Sequence, residues 1–211
     1  MTNTIDNFSN NVFINCPFDS DYIGLLRPLL FTIIYLGYNP RIASERSDSG
    51  EIRFHKICKL IEQSKISIHD LSRIRSTKKN EFYRLNMPFE LGVDFGCRLF
   101  KSGKVKQKKC LVLGKERYKY QKALSDISGS DIKSHNDNAE KLILQIRNWF
   151  VENEINHAVS STKIWESFNE FMADFYQKRK KEGFKKKDLK CLPTREYIQF
   201  IKDWLIEHNL Q

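Results

Sequence analysis

Short apolar runs alternate along the chain with segments in which apolar residues recur at helical spacing. Four runs end at a turn or polar residue, as buried strands do, and a weaker fifth follows; they cover 12–16, 39–44, 65–70, 110–113 and 131–133. Helical periodicity follows them, at 22–36, 51–64, 86–100, 118–127 and 137–150. This alternation predicts a parallel sheet with helices on both faces.

Five short strand–helix units fit into about 150 residues. The predicted fold class is therefore α/β, with a flavodoxin-like parallel sheet of about five strands. Strand-like runs cease after Val151, and the remaining periodicity, at 164–176 and 197–205, is helical. We predict an α/β domain over residues 1–152 and a basic helical extension over residues 153–211.

Some predicted boundaries depend on single residues. Asn86 and Asp137 each precede a helical pattern, and their side chains are predicted to cap it. Two lysine-rich stretches, 101–109 and 178–187, are predicted to be solvated connectors because they contain few apolar residues.

The composition is that of a folded protein with an anionic partner. Of the 211 residues, 40% are hydrophobic and 12% aromatic, which supplies a core. The formal net charge of +10 suits a nucleic acid or a phosphate-bearing small molecule. The excess is concentrated at 101–109 and 178–190, outside the predicted pocket, so it indicates a partner surface more than a substrate.

The cysteines and the hydropathy of the chain indicate its compartment. The five cysteines are irregularly spaced and form no C-x-x-C pair, which argues against a disulfide framework or a zinc site. The first residues are polar and lack the order of a secretory signal, and no apolar run is long enough to cross a bilayer. These features predict a soluble cytoplasmic protein without a membrane partner.

Several common catalytic motifs are missing from the sequence. It has no G-x-x-x-x-G-K-[ST] loop, no G-x-G-x-x-G, no H-E-x-x-H and no G-x-S-x-G. None of the five histidines lies four residues from another, so none forms a metal-binding pair on one helix face. We predict no bound metal and no organic cofactor.

Ligands of open α/β sheets usually bind at the carboxyl ends of the strands. The segments predicted to meet there offer polar groups, aromatic rings and acids. The predicted binding residues are Asn15, Cys16, Pro17, Phe18, Asp19, Asp48, Ser72, Arg73, Asn86 and Met87. Each of these segments contains a carboxylate, which is unusual in a chain of net charge +10.

Two acids of this region are candidate catalytic residues. Glu90 lies among apolar or small residues in the first turn of a helix, which predicts a partly desolvated carboxylate. An acid at that position also interacts favourably with the helix dipole and needs no catalytic role. Asp70 ends a predicted strand, where it could accept a ribose hydroxyl or cap a turn. Both interpretations stay open for each residue.

Three motifs together resemble those of a known group of enzymes. Asn15-Cys-Pro-Phe follows the first strand, Asp70 ends the third, and Phe89-Glu-Leu-Gly lies in the first turn of a helix. This set resembles the nucleoside 2-deoxyribosyltransferases and, more broadly, the TIR-like enzymes that share their flavodoxin-like architecture. The resemblance extends over residues 10–150 and leaves the C-terminal helices outside.

The resemblance implies an N-glycosidase. In those families a helix-borne glutamate attacks or stabilises the anomeric carbon of a bound nucleoside or of the ribose of NAD+. It therefore implies Glu90 as the catalytic carboxylate and Asp70 as the residue that orients the ribose. A role in bacterial antiphage defence, with assembly into a homo-oligomer or with a defence-system partner protein, is a further implication. The chain differs from the deoxyribosyltransferases in having Lys78, Lys79 and Arg84 where they carry acids.

The leaving group decides how many acids the chemistry needs. Nicotinamide leaves NAD+ as a neutral molecule, so one glutamate in a water-poor pocket suffices, whereas the base of an ordinary nucleoside needs a second acid. Arg46, Arg53 and the basic loop 73–84 are candidates to bind a pyrophosphate. The predicted reaction is therefore cleavage of NAD+ or a related nucleotide or nucleoside, with NAD+ as substrate.

Two non-enzymatic functions are alternatives. The same pocket would serve a nucleotide sensor in which Glu90 is structural, and the lysine-rich C-terminal region would attract nucleic acid by its charge. Nucleic-acid binding is not favoured, because a solvated linker is the simpler interpretation of the basic run. The stretch 178–187 contains only one aromatic residue, Phe184, and proteins bind single strands largely by stacking.

Overall fold

A computed structural model describes residues 7–45, 47–73, 85–154 and 159–210. Arg46 and most of the basic loop 73–84, both predicted to bind phosphate, lie outside the described residues. None of the helices in the described ranges is long and apolar enough to cross a membrane.

Five strands form one parallel sheet. They are β1 (Asn11–Asn15), β2 (Asn39–Ile42), β3 (Ile66–Asp70), β4 (Lys109–Gly114) and β5 (Lys133–Ser134). Their order across the sheet is β2-β1-β3-β4-β5, and every neighbouring pair is parallel. This is the strand order of a flavodoxin-like fold, so the predicted fold class is confirmed.

Seven α-helices lie in the described part of the chain. They are α1 (Ile23–Tyr35), α2 (Arg53–Glu62), α3 (Asn86–Phe100), α4 (Ala139–Asn153), α5 (Ser161–Lys181), α6 (Lys186–Lys190) and α7 (Thr194–Glu207). The chain leaves α1 at Gly37, which has a φ of 83°, a left-handed conformation that glycine adopts without strain. The helical C-terminal region is thus confirmed.

The chain forms two compact units. The first comprises Met1–Pro17, Asn39–Ala43 and Asp48–Asp137, and it contains the sheet with α2 and α3. The second comprises Phe18–Tyr38, Ser44–Ser47 and Asn138–Gln211, and it contains α1 and the last four helices. The predicted domain boundary at residue 152 stays a prediction.

The core of the first unit forms around the sheet. Phe13 of β1 packs with Ile57, Leu60 and Ile61 of α2, and Val93 of α3 lies against this group. Every residue of β1 and β3 is buried, and successive residues of a strand point to opposite faces. Both faces of the sheet are therefore covered at these strands. The continuous apolar runs in the sequence are typical of such strands.

A second cluster in the same unit positions the start of α3. Met87 and Leu91 of this helix pack with Leu71, which follows β3, and with Val112 of β4. Because these two helical residues face the sheet, the turn between them is held close to the strand ends. Glu90 lies on that turn.

Aromatic side chains fill the core of the second unit. The ring of Phe31 on α1 lies within 6.1 Å of the rings of Phe168, Phe171 and Trp204 on α5 and α7. The guanidinium group of Arg27 lies 5.1 Å from the ring centre of Tyr197, close enough for a cation–π contact. Phe168, Phe171, Tyr197 and Trp204 of the C-terminal region are therefore core residues.

Two predicted helix caps are wrong. Asn86 is the first residue of α3, and Leu85 precedes the helix without a side-chain cap. The cap of α4 is Asn138, whose side chain accepts a hydrogen bond from the backbone N–H of Lys141, while Asp137 has a left-handed φ of 54°. Asn and Asp are equally good caps, so the sequence pattern did not distinguish these neighbours.

The helix predicted at 118–127 is also wrong. Its place is taken by two 3₁₀ helices, Lys119–Lys122 and Ser125–Ile127. A helix of this length gains few hydrogen bonds for the cost of nucleation, so short 3₁₀ turns compete with it.

The lysine-rich stretches are more ordered than solvated connectors. α5 continues through four basic residues to Lys181, where the negative end of the helix dipole stabilises cations, and Lys186–Lys190 form α6. In the other stretch, Gly103–Gln107 form a 3₁₀ helix and Lys108 is only 3% exposed. The prediction of a solvated connector over 101–109 is therefore wrong for Lys108.

Candidate functional site

Asn15 joins three segments at the carboxyl edge of the sheet. Its amide Nδ2 donates to the backbone oxygen of Met87, at 2.9 Å, and lies 3.0 Å from Nδ1 of His69. An amide nitrogen only donates, so Nδ1 of His69 accepts. Asn15, predicted to bind a ligand, thus also ties the end of β1 to β3 and to the first turn of α3.

A buried polar network continues from His69. With Nδ1 accepting, the neutral ring carries its proton on Nε2, which donates to Oδ2 of Asp94 at 3.0 Å. The other oxygen of Asp94 lies 3.2 Å from the ammonium nitrogen of Lys108, which also donates to the backbone oxygen of Ile61 and the hydroxyl of Ser67. His69, Asp94 and Lys108 are all buried.

The network keeps Asp94 ionised. Burial alone would raise its pKa, but the hydrogen bond from His69 and the charge of Lys108 outweigh burial and lower the pKa below its ordinary value. Asp94 lies four residues after Glu90 on α3, so the network anchors the helix one turn beyond the candidate catalytic residue. Sequence reasoning did not find this network; a second acid four residues after Glu90 on the same largely apolar helix is the signal that could have suggested it.

Two residues of this network and a neighbouring cysteine have donor atoms close enough together to suggest a metal site. They belong to His69, Asp94 and Cys110, and all lie within 4.8 Å of one another. The ammonium group of Lys108 already neutralises Asp94, and burial raises the pKa of the Cys110 thiol, which disfavours the thiolate that a metal needs. The group therefore fits an ion-paired network better than a metal centre.

Glu90 is held with little access to solvent. It is the fifth residue of α3 and is 7% exposed; the prediction that it lies in the first turn is wrong, because α3 begins at Asn86 and its first turn contains no acid. Burial raises its pKa to about 7, and the positive charge of Arg53 at the start of α2 opposes part of that rise. A carboxyl group with this pKa exchanges its proton near neutral pH, as acid–base and electrostatic catalysts do.

Asp70 is fully buried at the end of β3. Its Oδ1 accepts a hydrogen bond from the backbone N–H of Ser72 at 2.8 Å, so it caps the turn, which is one of its two predicted roles. Its Oδ2 lies 3.1 Å from Nε2 of His135. Orientation of a ribose by Asp70 stays a prediction.

His135 is a residue that sequence reasoning missed. It follows β5 and is fully buried, and its Nδ1 accepts a hydrogen bond from the backbone N–H of Asp137. The neutral ring therefore carries its proton on Nε2, which faces the carboxylate of Asp70. Its position after a strand end could have indicated it, but β5 has only two residues.

The other predicted residues of the first unit differ in exposure. Cys16, Pro17 and Met87 are buried, and Met87 is a core residue. Ser72 and Arg73 are half-buried, whereas Asn86 is exposed. Asp48 is exposed as well, and its Oδ1 accepts from the backbone N–H of Gly50 at 2.9 Å, which closes a local turn.

Phe18 and Asp19 belong to the second unit. Phe18 is exposed, and Oδ1 of Asp19 accepts from the backbone N–H of Tyr22 at 3.0 Å. Asp19 is thus the cap of the short 3₁₀ helix Ser20–Tyr22. A ligand-binding role for these two residues stays a prediction.

No family model, curated protein or solved structure matches the chain.

Proposed function

We propose that this protein is an N-glycosidase that cleaves the bond between base and ribose in NAD+ or a related nucleotide or nucleoside. The observation that supports it most is Glu90, a nearly buried carboxyl group at the edge of the sheet where α/β enzymes bind their ligands. Burial raises the pKa of this group to about 7, close to the operating pH of an enzyme.

In the proposed reaction the electron pair of the glycosidic bond leaves with the base. Positive charge then develops on the anomeric carbon and the ring oxygen of the ribose, and the carboxylate of Glu90 stabilises it or captures the carbon covalently. Water or another acceptor then forms a bond to the anomeric carbon, gives up its proton and regenerates the free carboxylate. A carboxylate in a water-poor site stabilises a cation more strongly than one in bulk water. Nicotinamide departs as a neutral molecule, so the cleavage of NAD+ needs no second acid.

Arg53 supports a substrate that carries phosphate. It lies at the start of α2, close enough to Glu90 for its charge to lower the pKa of that carboxyl group. A guanidinium group beside the reacting carboxylate can bind a phosphate or pyrophosphate, which a nucleotide has and a free nucleoside lacks. We therefore favour NAD+ or another nucleotide over a nucleoside.

The resemblance to the deoxyribosyltransferase-like and TIR-like enzymes supports the same reaction and extends the proposal to the biological role. On this view the protein is an effector of bacterial antiphage defence that acts as a homo-oligomer or with a partner protein. Genes for a reverse transcriptase, a nucleotide cyclase or a second effector beside its own gene would support that role and indicate the trigger.

Direct detection of the released base tests the reaction. The purified chain is incubated with NAD+ and with a mixture of nucleosides, and free base is followed by chromatography. We expect nicotinamide to accumulate with time and to appear faster than any nucleoside base. Tight binding of an intact nucleotide without release of base would contradict the proposal and favour the nucleotide sensor.

The pH dependence of turnover reports the state of Glu90. Because the ionised carboxylate stabilises the transition state, we expect kcat/KM for NAD+ to rise with pH through about 7 and then to level off. Initial rates across pH 5.5–9, with circular dichroism at each pH as the control for folding, measure this. A rate that falls as pH rises through the same range would show that Glu90 acts as a proton donor instead.

A further inference from the structure

Two aromatic rings of the first unit are exposed and in contact with each other. Phe54 on α2 is 41% exposed and Phe89 on α3 is 59% exposed. Their ring centres lie 5.5 Å apart and their planes are inclined by 36°. Ile52 and Leu85, which precede the same two helices, are exposed as well. Exposed apolar side chains that contact one another, as Phe54 and Phe89 do, mark a binding surface more often than scattered ones do.

The charged residues of the candidate site lie on the same two helix starts. Arg53 directly precedes Phe54, and Glu90 directly follows Phe89. The charge of Arg53 acts on the Glu90 carboxyl group, so α2 and α3 bring one charged pair and one aromatic pair together. The side chains of Phe89 and Glu90 point to different sides of α3, and the aromatic pair and the charged pair lie in the same region of the first unit.

We propose that Phe54 and Phe89 form an aromatic shelf that binds the planar base of a nucleotide while its ribose lies at Glu90. This inference rests on the proposed function and deepens it, since it assigns the part of the site that holds the base. Phenylalanine faces stack on any heterocyclic base with little preference for its identity. The shelf thus suits nicotinamide or adenine, and chemical selectivity is left to Glu90 and Arg53.

The main competing explanation is contact with another protein chain. The centre of a protein–protein interface is enriched in aromatic residues and arginine and depleted of lysine, aspartate and glutamate, so the carboxylate of Glu90 is the residue that does not fit such an interface. Here Arg53 is the sequence neighbour of Phe54, Glu90 is the sequence neighbour of Phe89, and Glu90 is nearly buried. That mixture of stacking surface, cation and carboxylate matches a nucleotide better than it matches an apolar protein surface.

A pair of probes that differ only in the base tests the shelf. Calorimetry measures the affinity of the full chain for AMP and for ribose 5-phosphate, in a Glu90→Gln background that prevents cleavage. We expect Phe54→Ala and Phe89→Ala each to weaken AMP binding by about 5- to 160-fold, the range for loss of one stacked base. The affinity for ribose 5-phosphate should stay unchanged, which also shows that each variant is folded.

Phe100→Ala is the matched control, because Phe100 lies at the other end of α3 and is 88% exposed. It should alter the affinity for neither probe. Three results would overturn the shelf. The first is that the Glu90→Gln protein does not bind AMP at all, the second is that both shelf variants bind AMP with unaltered affinity, and the third is that they lose affinity for AMP and ribose 5-phosphate equally. Altered sedimentation of the shelf variants without a change in AMP affinity would overturn it in favour of an interface.

The two proposals can fail separately. If no substrate releases its base, the glycosidase activity is contradicted. The shelf is still tested by comparing the affinities for AMP and ribose 5-phosphate. If base release requires Glu90 but Phe54→Ala and Phe89→Ala leave AMP binding unaltered, the shelf is contradicted and the glycosidase is supported.

Discussion

Replacing Glu90 with glutamine is expected to stabilise the folded protein at pH 8, by about 1–3 kcal/mol in the free energy of unfolding. The fold raises the pKa of this carboxyl group from 4.5 to about 7. Above pH 7 the folded protein therefore contains a buried negative charge that the unfolded chain exposes to water. Glutamine has nearly the same shape and no charge, so it avoids that cost.

The effect has a defined pH window. Between pH 4.5 and about 7 the folded state binds more protons at Glu90 than the unfolded state does, so this group lowers stability as pH rises. The full shift corresponds to about 3.5 kcal/mol at about 1.4 kcal/mol per pH unit, and the remaining contact with solvent reduces it. Below pH 4.5 the carboxyl group is neutral in both states, and we expect wild type and variant to be equally stable.

Chemical denaturation at pH 4 and pH 8 measures this difference. Glu140→Gln is the matched control, since Glu140 is an exposed acid in the first turn of α4. Its removal should cost a few tenths of a kcal/mol through the helix dipole and should not stabilise the protein. A Glu90→Gln variant that is less stable than wild type at pH 8 would contradict a desolvated Glu90.

The ion pair of Asp94 and Lys108 is expected to show the largest destabilisation in the first unit. Asp94→Asn or Lys108→Met alone leaves one buried charge without its partner, at a cost of about 3–5 kcal/mol. The double variant removes both charges and should cost clearly less than the sum of the two. Denaturation of the four proteins gives the coupling free energy as a double-mutant cycle.

An exposed ion pair provides the control for this cycle. Glu62 and Lys101 lie 2.7 Å apart with both side chains about half exposed, and their coupling should fall between about 0 and 1 kcal/mol. Because the fold lowers the pKa of Asp94, its contribution is present above the ordinary pKa of an aspartate and is lost as pH falls through the lowered value. Additive effects of Asp94→Asn and Lys108→Met would contradict a coupled buried pair.

The sheet was predictable because its strands are buried on both faces. Such strands appear as continuous apolar runs. Residues 12–14 form such a run, and residues 66–68 do so except for Ser67. The two-residue β5 was displaced from its predicted position because a strand this short carries almost no pattern. The burial of Glu90 was predictable for a local reason, namely the apolar residues on both sides of it.

The rest of the candidate site could not be predicted because it depends on contacts distant in sequence. Lys108 looks like every other lysine of its basic stretch, and only its contact with Asp94 distinguishes it. His69 and Asp94 are 25 residues apart, and nothing local relates them. His135 reaches Asp70 only because β5 joins the sheet through β4.

The catalytic role of Glu90 is tested most directly by the rate of nicotinamide release from NAD+ at pH 8. The proteins compared are wild type, Glu90→Gln and Glu140→Gln. We expect Glu90→Gln, although folded and more stable, to lose at least about a hundredfold in kcat, the scale for removal of one group that stabilises transition-state charge. Glu140→Gln should retain the wild-type rate. Equal rates of nicotinamide release by wild type and Glu90→Gln would contradict the role of Glu90.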